Sequence, residues 1–178
     1  MMKKLWTAML ALCLALMAVP CAAATPKTGA ADAVLTAAAD KTLDDRDYDG
    51  FCGRLTVSAV GIDVALYNSY AQSVCDRADS ACCFAAPGYA GRIIADHSNQ
   101  DFSVLTQITV GTTAEITDAE GDVTQLRCVQ VLNGHNTGST LTDDAYRNVM
   151  GCYDYLTYTC LNGWRNVRIC QWEIVPPA

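Results

Sequence analysis

From Leu55 onward the chain is a succession of short apolar stretches, at 55–60, 62–67, 92–95, 105–110, 113–116, 126–132, 155–160 and 167–175. Turn formers stand between them: Gly61, Pro87-Gly88, Gly111, Gly121-Asp122, Asn133-Gly134 and Asn162-Gly163. Many short strands punctuated in this way predict an all-β barrel or sandwich. Only 69–84 and 142–150 read as helical within this part. No internal repeat or low-complexity linker divides it, so one β domain is expected over 50–178.

The chain ahead of that domain has a different texture. Alanine-rich 30–43, with Val34, Leu35 and Leu43 at roughly helical spacing, predicts a short helix, which the acidic run 44–50 ends. Asp45, Asp47, Asp49 and Gly50 match the opening of a calcium loop. The twelfth position is Thr56, where a bidentate Glu is required, so a solvated acidic turn is the reading adopted. At the extreme N-terminus Lys3 and Lys4 precede an apolar run over 5–19, followed by Pro20, Cys21 and three alanines. That is the form of a secretory signal peptide, and the run is shorter than the ~20 residues a membrane-spanning helix needs. The expected organisation is a signal over 1–24, a helical and acidic extension over 25–49, and the β domain.

Charge then narrows the partners. The formal net charge is −7, and loss of the signal would remove two lysines and no acid. Scattered cations on an acidic chain exclude the basic patch that nucleic-acid binding needs, so no nucleic-acid partner is expected. Export also changes the reading of the ten cysteines, of which Cys13 and Cys21 would leave with the signal. Cys52, Cys75, Cys82, Cys83, Cys128, Cys152, Cys160 and Cys170 remain, and in an oxidising compartment such thiols form disulfides. Their connectivity is open, although adjacent Cys82 and Cys83 are expected to reach different partners. No C-x-x-C pair is present, which argues against a structural zinc site, and no metal or cofactor is expected.

Candidate chemistry rests on few residues. The expected mature chain contains two histidines: His97, just beyond the apolar strand 92–95, and His135, in a polar loop. Cys160 ends the strand 156–160, and Arg168 returns on the next one. A thiol, an imidazole and a guanidinium meeting at a barrel mouth would supply a nucleophile, a proton carrier and a cation for an oxyanion. Because a free thiol is only a few per cent thiolate at neutral pH, such neighbours matter to its reactivity. Against this stands the reading of Cys160 as a disulfide cysteine. Bonding to Cys170, which shares strand parity with Arg168, would silence it. No Gly-rich phosphate loop and no serine triad pattern is present.

Several segments resemble the sortases. Residues 53–57 and 60–67 are similar to the first strands of a sortase barrel, and 94–105 with Val110-Gly111 to the stretch around the sortase histidine. Thr159-Cys160 with Arg168 resembles the nucleophile and arginine segment, in the family's order. The chain departs from the family where Asp96 stands in place of the usual Gly, and where Leu156-Thr157 exchange the usual Thr-Leu. The resemblance implies a mainly β, mixed eight-stranded sortase-like barrel with short helices and a cysteine transpeptidase activity. Such an enzyme cuts a Leu-Pro-any-Thr-Gly type sorting signal between Thr and Gly, holds the acyl part as a thioester and passes it to an amine of the cell wall or a pilin. Carried over, Cys160 is the nucleophile, His97 the acid and then base, and Arg168 the oxyanion or backbone holder, with Arg165 the competing choice. Residues 132–150 would border the substrate groove. The implied protein is a monomer, exported to the surface of a Gram-positive bacterium. The alternative is a non-catalytic secreted module of the same shape that binds peptides or surface partners, its cysteines in disulfides.

Overall fold

The computed structural model describes residues 50–85, 89–151 and 153–177. The expected signal peptide, the helix at 30–43 and all but the end of the acidic turn lie outside the described residues, as does Cys152. No helix among the described residues is long and apolar enough to cross a membrane.

Nine strands form: β1 (Phe51–Val57), β2 (Ile62–Tyr67), β3 (Ser80–Ala85), β4 (Arg92–Ala95), β5 (Thr113–Asp118), β6 (Val123–Asn136), β7 (Leu141–Asp143), β8 (Tyr155–Leu161) and β9 (Gly163–Ile174). A single-turn helix α1 (Gln72–Cys75) precedes β3, and a 3-10 helix η1 (Asp101–Gln107) follows β4. The strand order is β5-β1-β2-β3-β4-β8-β9-β6-β7, and a further pairing of β5 with β6 closes the ring. Eight strands therefore make a closed barrel, and β7 pairs with β6 outside it. The β2–β3 and β4–β8 pairs are parallel and the others antiparallel, giving the mixed barrel that was expected. Closure satisfies the edges of a twisted sheet without a second layer.

Alternation along the strands divides the side chains between two environments. Leu55, Val57, Val64, Leu66, Ile94, Ile116, Leu126, Cys170 and Trp172 point inward and pack with Phe102, Leu105 and Ile108. The indole N–H of Trp172, fully buried, donates to Thr157 Oγ1 at 3.0 Å, so the largest core side chain leaves no unpaired donor. The other face of β4, β8 and β9 carries Ile93, Leu156, Val167 and Ile169, which pack against Leu141, Val149 and Met150. The residues around β7 thus cover an outward patch of the barrel wall.

Three expectations about local structure are corrected. The stretch 69–84 is helical only at Gln72–Cys75, and its second half is strand β3. The stretch 105–110 is the end of η1 and a turn, because Phe102, Leu105 and Ile108 are buried at a spacing of three, the repeat of a 3-10 helix. The stretch 142–150 is β7 followed by a tight turn with Tyr146 at φ 59°, and its return is held by a bridge between Thr142 and Asn148.

Candidate functional site

The parallel pairing of β4 with β8 sets Ile93 beside Leu156 and Ala95 beside Tyr158. Two residues further on come Cys160, still within β8 and on its outward side by alternation, and His97, just past the end of β4. The intervening residues are tied together, since Thr159 Oγ1 donates to the Asp96 carbonyl at 2.8 Å. The fold therefore brings the chosen histidine and cysteine to the same end of adjacent strands.

His97 is held from α1. Its Nε2 lies 3.0 Å from Asp76 Oδ1 and 2.6 Å from Gln72 Nε2, and Gln72 Nε2 also donates to Asp76 Oδ1 at 3.1 Å. Donation to Asp76 suits an imidazole with a proton on Nε2, whereas acceptance from Gln72 suits one without, so the two neighbours serve opposite protonation states. The Gln72 amide and the imidazole together hold the Asp76 carboxyl below the usual carboxylate range. Sequence reasoning missed Asp76 and Gln72. They are remote from His97 along the chain, and a stretch mistaken for one long helix gave no cue to their direction.

Asp96 turns the other way, as alternation requires. It is buried, its Oδ2 accepts from the Phe102 N–H at 3.3 Å, and its Oδ1 has no partner. Burial raises its pKa to about 6. The hydrogen-bond partners of the His97 ring are Asp76 and Gln72, and Asp96 is not among them.

Cys160 is half-buried, and burial followed by the nearby Cys75 pushes its thiol above the ordinary value. It rests as a thiol at neutral pH, and a reaction there needs its proton taken away.

Arg168 is not brought to this sulfur. In the β8–β9 register Arg168 stands opposite Thr159, and Val167 stands opposite Cys160, so the arginine shares the inward side with Thr159 and Cys170. Its Nη1 donates to Asn133 Oδ1 at 3.1 Å and its Nη2 to the Thr106 carbonyl at 3.2 Å. Arg165 lies two residues before Val167, within the bounds of β9 and in the stretch that the register shift between Cys160 and Leu161 skips. It is exposed, its guanidinium 5.1 Å from the centre of the Trp164 ring.

His135 belongs to β6, opposite Thr142, and not to a loop. Its ring stacks on Tyr146 at 4.6 Å between centroids. Among the described residues no cluster of acidic, histidine and cysteine side chains is arranged to hold a metal.

A groove of about 550 Å³ opens on the outward side, lined by Tyr70, Phe84, Ile93, Leu141, Met150 and Tyr158 among others. Gln72 reaches it from the His97 side, and Tyr158 shares the Cys160 face of β8. Asn136, Thr140, Leu141 and Met150 come from the segment expected to form its border. The groove has a largely apolar wall, with no carboxylate or guanidinium among its lining residues.

Solved structures carry the same architecture. The sortase C-1 of Actinomyces oris superposes with a TM-score of 0.59 at 14% identity, over 80% of this chain and 84% of that one. The fold is that of the sortases. A sortase C1 of Streptococcus agalactiae, solved as a complex with MTSET, gives a TM-score of 0.58 at 14% identity, over 83% of this chain and 86% of that one. A Clostridium perfringens sortase D5, described as a transpeptidase, gives 0.55 at 17% identity, over 71% of this chain and 79% of its own. No family model matches the sequence, and no curated protein matches it. The sortase likeness therefore lives in the barrel and its strand order, with little of the sequence retained.

Proposed function

We propose that this chain is an exported sortase-like cysteine transpeptidase. The observation that supports the reading is the parallel β4–β8 register, which runs toward His97 and Cys160 at the same end of the two strands. In the proposed cycle His97 takes the Cys160 proton as the sulfur attacks the carbonyl of a sorting-signal peptide. The imidazolium then gives that proton to the departing amine, leaving a thioester on Cys160. An amine of the cell wall or a pilin displaces the sulfur, which recovers its proton through His97. The Asp76 carboxylate steadies the imidazolium in both halves.

The cation for the oxyanion is assigned to Arg165, exposed close after the Cys160 turn, and Arg168 to holding η1 and β6. No cofactor or metal enters the scheme. The place of action is the outer surface of a Gram-positive cell, reached by the N-terminal signal.

The test is trapping. Purified chain is incubated with peptides of the Leu-Pro-any-Thr-Gly type, with and without an amine, and the intact protein is weighed by mass spectrometry. An acyl adduct on Cys160 that a nucleophilic amine discharges supports the reading. A chain that binds the peptides and never acylates is a binding module instead.

A further inference from the structure

Seven cysteines are described, and all are thiols in this structure. Their arrangement is not random. Cys75 Sγ lies 3.2 Å from Cys82 Sγ. Cys52 packs against the core that holds Cys83, and Cys128 and Cys170 are both buried in it, each pair close enough for its two thiols to act on each other's ionisation. Cys160 is the remaining described cysteine and belongs to none of the three pairs.

The fold explains each encounter. Cys82 and Cys83 are neighbours on β3, so alternation sends one to each side of the wall. Cys82 faces out, in a small cluster with Val74, Ala95 and Cys75 at the end of α1. Cys83 faces into the barrel core, against which Cys52 packs. Cys52 sits at a register shift between Phe51 and Gly53, where Gly53 has φ +146° and a Cβ would stand 2.5 Å from the Thr117 carbonyl oxygen. That glycine permits the irregularity that presents Cys52. Cys128 precedes a second register shift, between Cys128 and Gln130, which brings it to the side of β9 that holds Cys170. Both sulfurs lie in the core.

We propose that three disulfides join the described cysteines, Cys52–Cys83, Cys75–Cys82 and Cys128–Cys170, and that these leave Cys160 as the reactive thiol among them. In each bridge two thiols lose two electrons and two protons to a low-molecular-weight disulfide such as oxidised glutathione, which departs as two thiols. The neighbouring Cys52 thiol and Arg92, whose Nε donates to Cys83 Sγ at 3.2 Å, bring the Cys83 thiol down to about 7. Cys83, Cys128 and Cys170 are fully enclosed in the finished barrel, so their bridges form while the chain folds.

The outward bridge reaches the site. Cys75 is the last residue of α1 and adjoins Asp76, and Cys82 lies opposite Ala95, two residues before His97. Linking them pins the turn that offers Gln72 and Asp76 to the imidazole. A four-residue helix without a side-chain cap needs such an anchor to keep that geometry. The bond between Cys160 and Cys170 weighed from the sequence is thereby set aside, because the bridges consume the neighbouring cysteines and not Cys160.

The proposal takes from the functional reading only exposure to an oxidant, and its test supplies one. Reduced, denatured chain is refolded in a mixture of reduced and oxidised glutathione. It is then denatured with iodoacetamide and no reductant, digested, and mapped by mass spectrometry. The expected map has label on Cys160 and three cross-linked peptide pairs with the connectivity above. A bridge that includes Cys160, a Cys82–Cys83 linkage, or label on both Cys75 and Cys82 in folded material overturns it. No substrate is used, so the map stands whether or not the chain transfers acyl groups. A second measurement is reduction of the folded, oxidised protein. Its melting temperature falls when all bridges are reduced, and an unchanged value counts against the two core bridges.

Discussion

Cys160 lies on β8 and His97 just past the end of the parallel strand β4, each two residues beyond the Ala95–Tyr158 pair. Parallel strands end at the same rim, so one register fixes both groups at once. Replacing Cys160 with Ala removes the nucleophile and is expected to abolish thioester formation. His97→Ala is expected to lower acyl transfer about a hundredfold or more, the ordinary scale of a lost proton carrier. His135→Ala, which removes a ring stacked on Tyr146, is expected to leave transfer within about twofold. Single-turnover acylation of the three variants checks this, and equal losses at the two histidines would mean the wrong imidazole was assigned.

The two arginines separate turnover from stability. Arg168 is bonded to Asn133 and to the Thr106 carbonyl, so Arg168→Ala frees the end of η1 and is expected to cost about 1–3 kcal/mol of folding stability. Arg165 is exposed and stacked beside Trp164, so Arg165→Ala is expected to leave the melting temperature nearly unchanged and to reduce kcat. Thermal melts alongside acylation rates resolve the pair. A stable Arg168→Ala variant with lost turnover would return the catalytic cation to Arg168.

Asp96 gives a pH dependence with an unusual sign. Its burial raises the folded-state pKa to about 6, above the value near 4 of an unfolded chain. Between those values the folded chain holds a proton that the unfolded chain has released. The contribution of this group to stability is therefore greatest below pH 4 and declines as pH rises through 6. Asp96→Asn removes the decline and is expected to stabilise the protein at pH 7 by on the order of 2 kcal/mol. Denaturant melts of both chains from pH 4 to 7 test this, and parallel curves would refute it.

Gly134 makes the outer strand possible. A Cβ there would sit 1.9 Å from the Thr142 carbonyl oxygen, a backbone atom of β7 that cannot swing aside. Gly134→Ala is expected to lift β7 from β6 at a cost of about 1–3 kcal/mol. The groove loses its Leu141 border, so KM for the peptide rises several-fold while the barrel persists. Steady-state kinetics together with circular dichroism distinguish a displaced border from an unfolded chain.

Much of the barrel could be read from alternation and turn residues. β1, β2, β4, β5, β8 and β9 lie where apolar stretches are bounded by glycine or asparagine. Segments that failed were those where tertiary packing overrode a local pattern. The residues of β3 looked helical because its alanines favour helix and only Phe84 carries a strong strand signal. The 3-10 helix passed as a strand because its apolar positions recur at three, between the two usual periods. Within the site, His97 and Cys160 were legible from their strand ends, but the register that turns Arg168 inward depends on a shift beyond Cys160. Asp76 was hidden because its partner lies 21 residues away.

The position of β7 outside the closed ring has a consequence for how such a protein can diversify. Every ladder of the ring is complete without it, so the loop-borne border of the groove can lengthen, shorten or change its chemistry while the strands beneath keep their hydrogen bonds. Selectivity for a new peptide can then be acquired by redrawing one rim segment, with the sulfur and imidazole left undisturbed on the scaffold.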